Sequence, residues 1–394
     1  RRPARQRTFP HRLVGVMSAD LTRRTLDFRR AHVDQQAIEW HRQRSMGRDG
    51  LRAAAAIGLT AIEVPTDQGG LGLGFAEKIT VLDILSRTSM EFAFSLVNTQ
   101  NVAARIAGTG TDSQRARFLD DLLSAERLGS TALTEPGAGS DFAAIATRAE
   151  KVDGGWRLNG EKAWITNAAA SDVILCYAQT EPGSGAAGIA SFLIDGRQEG
   201  FRRLDPHPLY GGHAIGTGRF ALDDYLVADE DLLSPAGEAF KFALGSINGA
   251  RTYVAVMCCA MVRGSLGVAV EYGSTRQAFK RPLIEHQGLA WSLASVANKL
   301  EAAQLLADKA TEAVDSGDDE GAVLLAAHAK KFATEMAEPA ISACIQAMGA
   351  EGLHDQHPMG RHLAAARLAN FVDGSTEIQT ERIARSLKSS YPAP

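Results

Sequence analysis

The segment VDGSTEIQTERIAR, residues 372–385, sets an acid directly before a glycine near the end of a 394-residue chain. Two kinds of chemistry suit that pair: Asp373 either bonds a backbone N–H as the acid of a turn before a last helix, or takes a proton from a substrate. Thr376 and Gln379 stand at the spacing of a capping box for that helix. Upstream, TEPGAGSD (134–141) carries Gly137 and Gly139. Their backbone freedom lets successive N–H groups point into one concavity that holds a phosphate, with the Ser140 hydroxyl beside it, although an ordinary glycine-rich turn has the same composition. NGEKAWITNA (159–168) reads as a hairpin turn leading into a strand. Trp164 and Thr166, two positions apart on one face, either cover a flat heteroaromatic ring and bond its edge or belong to a β core. GGLGLG (69–74) lacks the GxGxxG spacing and reads as a turn before a helix starting near Phe75.

Three stretches of different texture must position these groups. Residues 19–128 repeat apolar side chains at three and four spacings, and Thr111 with Gln114 makes a capping box, so this part is an N-terminal helical domain. Residues 129–236 carry short apolar runs, 173–178 and 189–194, punctuated by Asp153-Gly154 and Asn159-Gly160, the pattern of a small β domain. Residues 237–394 return to long helical patterns over 240–272, 283–314 and 322–348, and with a shorter terminal helix they suffice for a four-helix bundle. The fold class is mainly α with a central β domain. Residues 1–18, rich in arginine, read as a disordered leader; a transit peptide is the other reading.

A net charge of −4 gives no electrostatic case for a nucleic-acid or anionic-membrane partner. Cys176, Cys258, Cys259 and Cys344 form neither a disulfide framework nor the CxxC spacing of a zinc site, so a reducing compartment and no metal are expected. The longest apolar run, 253–262, is too short to span a bilayer. The excess of arginine over lysine fits a GC-rich bacterium and a cytoplasmic location, with the mitochondrial matrix as the alternative.

Together ALTEPGAGSD and GEKAWITNA, at matching separation, resemble the two β-domain motifs of the acyl-CoA dehydrogenase family, and the resemblance runs from about Leu21 onward. It implies an N-terminal helical domain, a β-barrel-like middle domain and a C-terminal four-helix bundle, assembled as a homotetramer built from dimers. FAD would lie between the β domain and the bundle and be shared across an interface. By resemblance Leu133 and Thr134 touch the flavin, Gly139 and Ser140 face the phosphate or the pantetheine arm, and Trp164, Ile165 and Thr166 line the isoalloxazine, Thr166 near N5. RQAFKRPLIEHQ is similar to the segment whose Arg276, Phe279 and Gln287 hold the FAD of a neighbouring subunit, where a planar guanidinium fork suits a diphosphate. QAMGAEG supplies Gln346 and Gly349, the latter at a close backbone approach, and Ser375 and Glu377 complete the FAD contacts. Asn248, Arg251, Ser140 and Gly374 fall at substrate-contact positions, Asn248 where the family often has an acid.

The reaction implied is an FAD-dependent α,β-dehydrogenation of an acyl thioester, on CoA or a carrier protein, with an electron-transfer flavoprotein as acceptor. A carboxylate takes the α-proton while the β-hydride passes to flavin N5, and donors hold the thioester oxygen as charge develops. The usual base is a Glu before Gly; here it is Asp373, one methylene shorter, and the family's second location for a base is Ala250. Asn98, Thr99, Gln100 and Asn101 either line the acyl pocket, favouring a short or polar acyl group, or are solvated at a helix turn. One alternative is an oxygen-using oxidase or monooxygenase. In the nitroalkane-oxidase-like branch an Arg stands seven positions after the Asp, where this chain has Thr380. Another is a flavin-bearing binding protein without catalysis, for which no basic patch speaks.

Overall fold

The computed structural model describes residues 16–392. The leader expected over 1–18 lies outside the described residues except for 16–18, which open the first helix. The N-terminal unit holds α1 (Val16–Phe28), which runs through a π-helical stretch (Arg29–Val33) into α2 (Asp34–Gln43). It continues with α3 (Asp49–Ala56), α4 (Phe75–Ser86), α5 (Met90–Thr109) and α6 (Asp112–Leu123). GGLGLG is a turn whose last residue, Gly74, caps α4, with Glu77 accepting its N–H at 3.0 Å. Ser89 caps α5 by accepting the Phe92 N–H. Thr111 and Gln114 form the reciprocal box, at 2.9 and 3.1 Å.

The middle unit is one sheet of eight strands: β1 (Gly129–Ala132), β2 (Arg148–Val152), β3 (Gly155–Ile165), β4 (Val173–Gln179), β5 (Ile189–Asp195), β6 (Phe201–Arg203), β7 (Gly218–Ala228) and β8 (Leu232–Ser234). Their order is β6-β7-β3-β2-β4-β5-β8, with β1 parallel to β4. β4 is buried along its whole length and β5 along all but its last residue, Asp195, which explains their unbroken apolar runs. Asp153-Gly154 makes the β2–β3 hairpin. Asn159-Gly160 does not turn, contrary to the sequence expectation: it lies inside β3, where the register against β7 shifts between Leu158 and Gly160. Gly160 answers a close approach, since a Cβ there would lie 2.7 Å from the Thr147 Cα.

The C-terminal unit is α7 (Ala239–Thr275), a two-strand hairpin of β9 (Gln277–Ala278) and β10 (Arg281–Pro282), α8 (Gln287–Asp315), α9 (Asp319–Met348), α10 (Met359–Ala369) and α11 (Thr376–Ser390). Among the described residues it has five helices, and the terminal helix expected from the sequence is two, α10 and α11, both packed on α9 and separated by the Asp373 turn. The short connections make α7, α8 and α9 run up, down and up. By length and composition α7 is apolar enough to cross a membrane. Here it is the core helix, with every residue from 250 to 262 buried against α9, α8 and α4 in a cluster continuous with the N-terminal helices.

Candidate active site

Asp373 stands on a tight turn whose ends are tied together: the Thr376 N–H donates to the Asn370 carbonyl at 3.1 Å and the Thr376 hydroxyl to the Asn370 side chain at 2.9 Å. The capping box expected from Thr376 and Gln379 is replaced by one residue earlier. Ser375 is the cap, accepting from the Ile378 N–H, because Thr376 is spent on Asn370 and Gln379 turns back to donate to the Gly374 carbonyl at 2.9 Å. Asp373 has φ +53° and Gly374 φ +91°. The left-handed region disfavours L side chains, Asp and Asn less than most, and the second position admits only glycine at low cost.

Two buried cations hold this turn. Lys330 of α9 donates to the carbonyls of Val372 and Gly374, and Arg251 of α7 donates from Nε to the Asp373 carbonyl at 3.2 Å. Arg251 is itself fixed by a 3.0 Å bond to Asn248 Oδ1. So Asn248 and Arg251, expected as substrate contacts, are brought to the Asp373 turn, where they serve as its scaffold. The Asp373 Oδ2 is buried and makes no hydrogen bond. Burial raises the proton affinity of this carboxyl above the ordinary range, while Lys330 and then Arg251 pull it back only in part. Burial likewise pushes Arg251 down to about 10 and Lys330 down to about 8.

Lys330 carried no signal in the sequence: it lies on the face of α9 that also buries Ala326, Ala329, Ala333 and Ala337, where an apolar residue is expected. Glu63, Lys78 and Tyr253, which also carried no signal, form a polar chain with Asn101. The Lys78 ammonium donates to Glu63 and, at 2.8 Å, to Asn101 Oδ1, whose amide reaches the Tyr253 hydroxyl at 3.5 Å. Of the polar run on α5, Asn98, Thr99 and Gln100 are buried rather than solvated and are used inside the fold, on Phe94 O, the Gly129 N–H and Leu59 O. Asn101 alone of the four reaches toward α7.

The β unit offers a separate platform. Leu133 and Thr134 follow β1, and the Thr134 carbonyl accepts the Ala163 N–H at 3.0 Å, tying that loop to β3. Gly137 and Gly139 are not in the left-handed region, so the backbone freedom from which a phosphate concavity was expected is not used here. Glu135 anchors the loop: its carboxylate accepts the Ala146 and Thr147 N–H groups and pairs with buried Lys162 at 2.7 Å, while Lys162 also donates to the Leu133 carbonyl. Burial works against the Glu135 charge, and Lys162 with those donors outweighs it, holding the carboxyl below its usual range. Gly139 and Ser140 remain exposed beyond the anchor.

Trp164 and Thr166 do not share a strand face as the alternation implied. A bulge after Lys162 puts Trp164 at φ +61°, and the strand ends at Ile165, so Thr166 belongs to the following turn. The left-handed backbone leaves the indole 55% exposed and stacked on His207 at 3.9 Å and 12°, whereas the Ile165 side chain is buried in the sheet core. A large indole presented in this way, next to the Leu133–Thr134 loop, suits a flat aromatic ligand.

Arg276, Phe279 and Gln287 gather at the far end of α7 and the start of α8, and Gln346 and Gly349 at the far end of α9, which the up-down-up course puts at the same end of the bundle. Phe279 sits at the tip of the β9–β10 hairpin with φ +51° and is 92% exposed. Gly349 has φ +63°, a backbone angle that favours glycine, and a Cβ there would meet no protein atom within 4 Å. Ser375 and Glu377 stay with the Asp373 turn. Ala250 is buried beside Arg251 and has no carboxyl to offer. Among the described residues no group of His, Cys, Asp and Glu side chains could hold a metal ion.

Three family descriptions match the chain in order: Acyl-CoA dehydrogenase, N-terminal domain, over residues 19–126; middle domain, over 130–225; and C-terminal domain, over 237–388. The short/branched chain specific mitochondrial acyl-CoA dehydrogenase of Rattus norvegicus is 32% identical over 336 residues, 85% of this chain and 77% of that protein. Glutaryl-CoA dehydrogenase of Desulfococcus multivorans is 31% identical over 334 residues, 84% of this chain and 85% of that protein. The solved structure of butyryl-CoA dehydrogenase from Megasphaera elsdenii matches with a TM-score of 0.90 at 27% identity, covering 95% of this chain and 98% of that one. With three consecutive domains matched and two thirds or more of each relative covered, the chain belongs to the acyl-CoA dehydrogenase family.

Proposed function

We propose that the protein is an FAD-dependent dehydrogenase that introduces a double bond between the α and β carbons of an acyl thioester, on CoA or on a carrier protein, with Asp373 as the base that takes the α-proton. The observation that carries this reading is the Asp373 carboxyl itself: its Oδ2 enclosed and unbonded, its proton affinity raised, and its turn gripped by Lys330 and Arg251. A base for a weak carbon acid needs that combination, because burial raises its basicity and a rigid mount keeps it within hydrogen-bond reach of the proton. The Asp373 N–H has no partner among the described residues and is available to the thioester oxygen.

The residues present fit FAD. Trp164 offers an exposed indole wall, Thr166 and Leu133–Thr134 adjoin it, and Ser375 and Glu377 flank the base. FAD, when bound there, supplies the acceptor for the β-hydride. Arg276 lies about 37 Å along α7 from Arg251, too far for the two to serve one reacting centre within a single chain. Arg276, Phe279, Gln287, Gln346 and Gly349 are assigned, on the family resemblance, to the FAD of a neighbouring subunit in a homo-oligomer, a tetramer built from dimers. The exposure of Phe279 on a strained hairpin tip supports a covering partner there. An electron-transfer flavoprotein is the acceptor in this reading. Free, buried cysteines are in keeping with a reducing, cytoplasmic setting.

The polar pair Asn101 and Tyr253 beside the base turn favours a short, branched or polar acyl group over a long aliphatic one. Thr380, whose hydroxyl bonds the Thr376 carbonyl within α11, offers Asp373 no cationic partner of the kind the oxidase reading needs. Anaerobic mixing of the flavoprotein with butyryl-, 2-methylbutyryl- and glutaryl-CoA tests the proposal. At least one should bleach the flavin, and Asp373→Asn should slow bleaching by about 10²–10⁴-fold. An undiminished rate in that variant removes Asp373 from the role.

A further inference from the structure

We infer that Lys330 is the positioning residue of the base: its ammonium, held against the two carbonyls that flank Asp373, sets both the conformation of the turn and the protonation of the Asp373 carboxyl. The inference rests on the reading of Asp373 as base but adds a residue to it. The geometry is a clamp. Lys330 takes the Val372 and Gly374 carbonyls, Arg251 takes the Asp373 carbonyl between them, and Gln379 adds a second donor to Gly374. Three successive carbonyls thus converge on two buried cations from different helices.

That arrangement explains how an aspartate persists at φ +53°: the clamp fixes a backbone the residue would otherwise leave. It also explains why a lysine with no exposed surface is tolerated on the alanine face of α9, since its ammonium has two carbonyl acceptors. The charged and titratable groups facing the pair are Arg251, Tyr253 and Cys258 from α7 and Glu377 from α11, with Arg382 of α11 acting on Arg251. Lys330 is the largest charge influence on Asp373 and Asp373 the largest on Lys330, each favouring the other's charged form against burial.

The test uses the intact flavoprotein without substrate. The infrared band of the protonated Asp373 carboxyl, assigned by its loss in Asp373→Asn, is titrated in wild type and in Lys330→Gln, a neutral donor that keeps a hydrogen bond and removes the charge. The midpoint should rise by about one to three pH units in the variant, the effect of losing a nearby opposite charge. Bleaching by the active thioester should keep an acid limb displaced by the same amount. A midpoint that does not move overturns the inference. If Lys330→Gln does not fold, the reciprocal measurement decides: in Asp373→Asn, the Lys330 ammonium, pushed down to about 8 by burial, should shift further down, and an unmoved value overturns the inference equally. A midpoint that moves in Lys330→Gln while Asp373→Asn still bleaches at the wild-type rate upholds the coupling and refutes the base.

Discussion

An aspartate at φ +53° followed by a glycine at φ +91° fixes where a carboxyl can reach, because neither backbone angle relaxes freely inside a clamped turn. Lengthening the arm is therefore a sharper probe than removing it. Asp373→Glu adds one methylene to a mount that does not retreat, and a misplacement of about 1 Å at the reacting proton costs on the order of 10²-fold in rate. Bleaching by the preferred thioester should slow by about that factor, while the spectral shift on thioester binding survives, because the rest of the site is untouched. A wild-type rate would mean the turn adjusts and the clamp is not rigid. The same carboxyl sets the acid limb in the wild type. Its proton affinity is raised, the ionised form is the active one, and so the rate falls as pH drops through a midpoint above the ordinary carboxylate value of about 3.9. A midpoint at or below that value would contradict the burial argument.

Helix α7 supplies Arg251 to the site and must hold its register against its neighbours to do so. It passes close to α4 at Gly264, where a Cβ would lie 2.2 Å from the Arg87 carbonyl at the end of that helix. Gly264→Ala forces the two backbones apart and should cost about 1–3 kcal/mol, seen as a lowered denaturation midpoint with Trp164 and the flavin still in place. An unchanged midpoint would show that α7 slides without loss. Contacts of this kind were invisible in the sequence, where Gly264 is one glycine in a long helical pattern. What could be read there was local: the Thr111–Gln114 box, the apolar strands β4 and β5, and the acid before Gly374 all announce themselves within a few residues. What could not be read depends on a distant partner. Asn159-Gly160 has the composition of a turn, yet Thr147 across the sheet makes it a bulge. Thr376 has the spacing of a cap, yet Asn370 takes its hydroxyl and Ser375 caps instead. Lys330 and the Asn101–Tyr253 pair acquire meaning only once α5, α7, α9 and the last turn meet.

The whole molecule is joined across its three units at Glu91, near the start of α5. Its carboxyl is buried with Oε1 unbonded, beneath the Gly212 backbone of the β unit and beside Arg361 of α10. Burial pushes it up to about 7 from a reference of 4.5, with Arg361 and the Gly212 N–H pulling back only in part. A folded-state pKa above the unfolded value means that the neutral carboxyl favours folding. The contribution is complete below about 4.5 and is lost as pH rises through about 7. The loss is bounded at about 3 kcal/mol for a shift of this size. Glu91→Gln keeps the shape and cannot ionise, so it should remove this decline. Denaturant midpoints at pH 5 and pH 8 should fall less between the two conditions in the variant than in the wild type, by about 1–3 kcal/mol of stability. The flavin should stay bound in both, since Glu91 lies apart from the Asp373 turn. Equal declines would mean that Glu91 is ionised in the folded protein and held by Arg361, and that the junction between the units is a salt bridge in place of a buried acid.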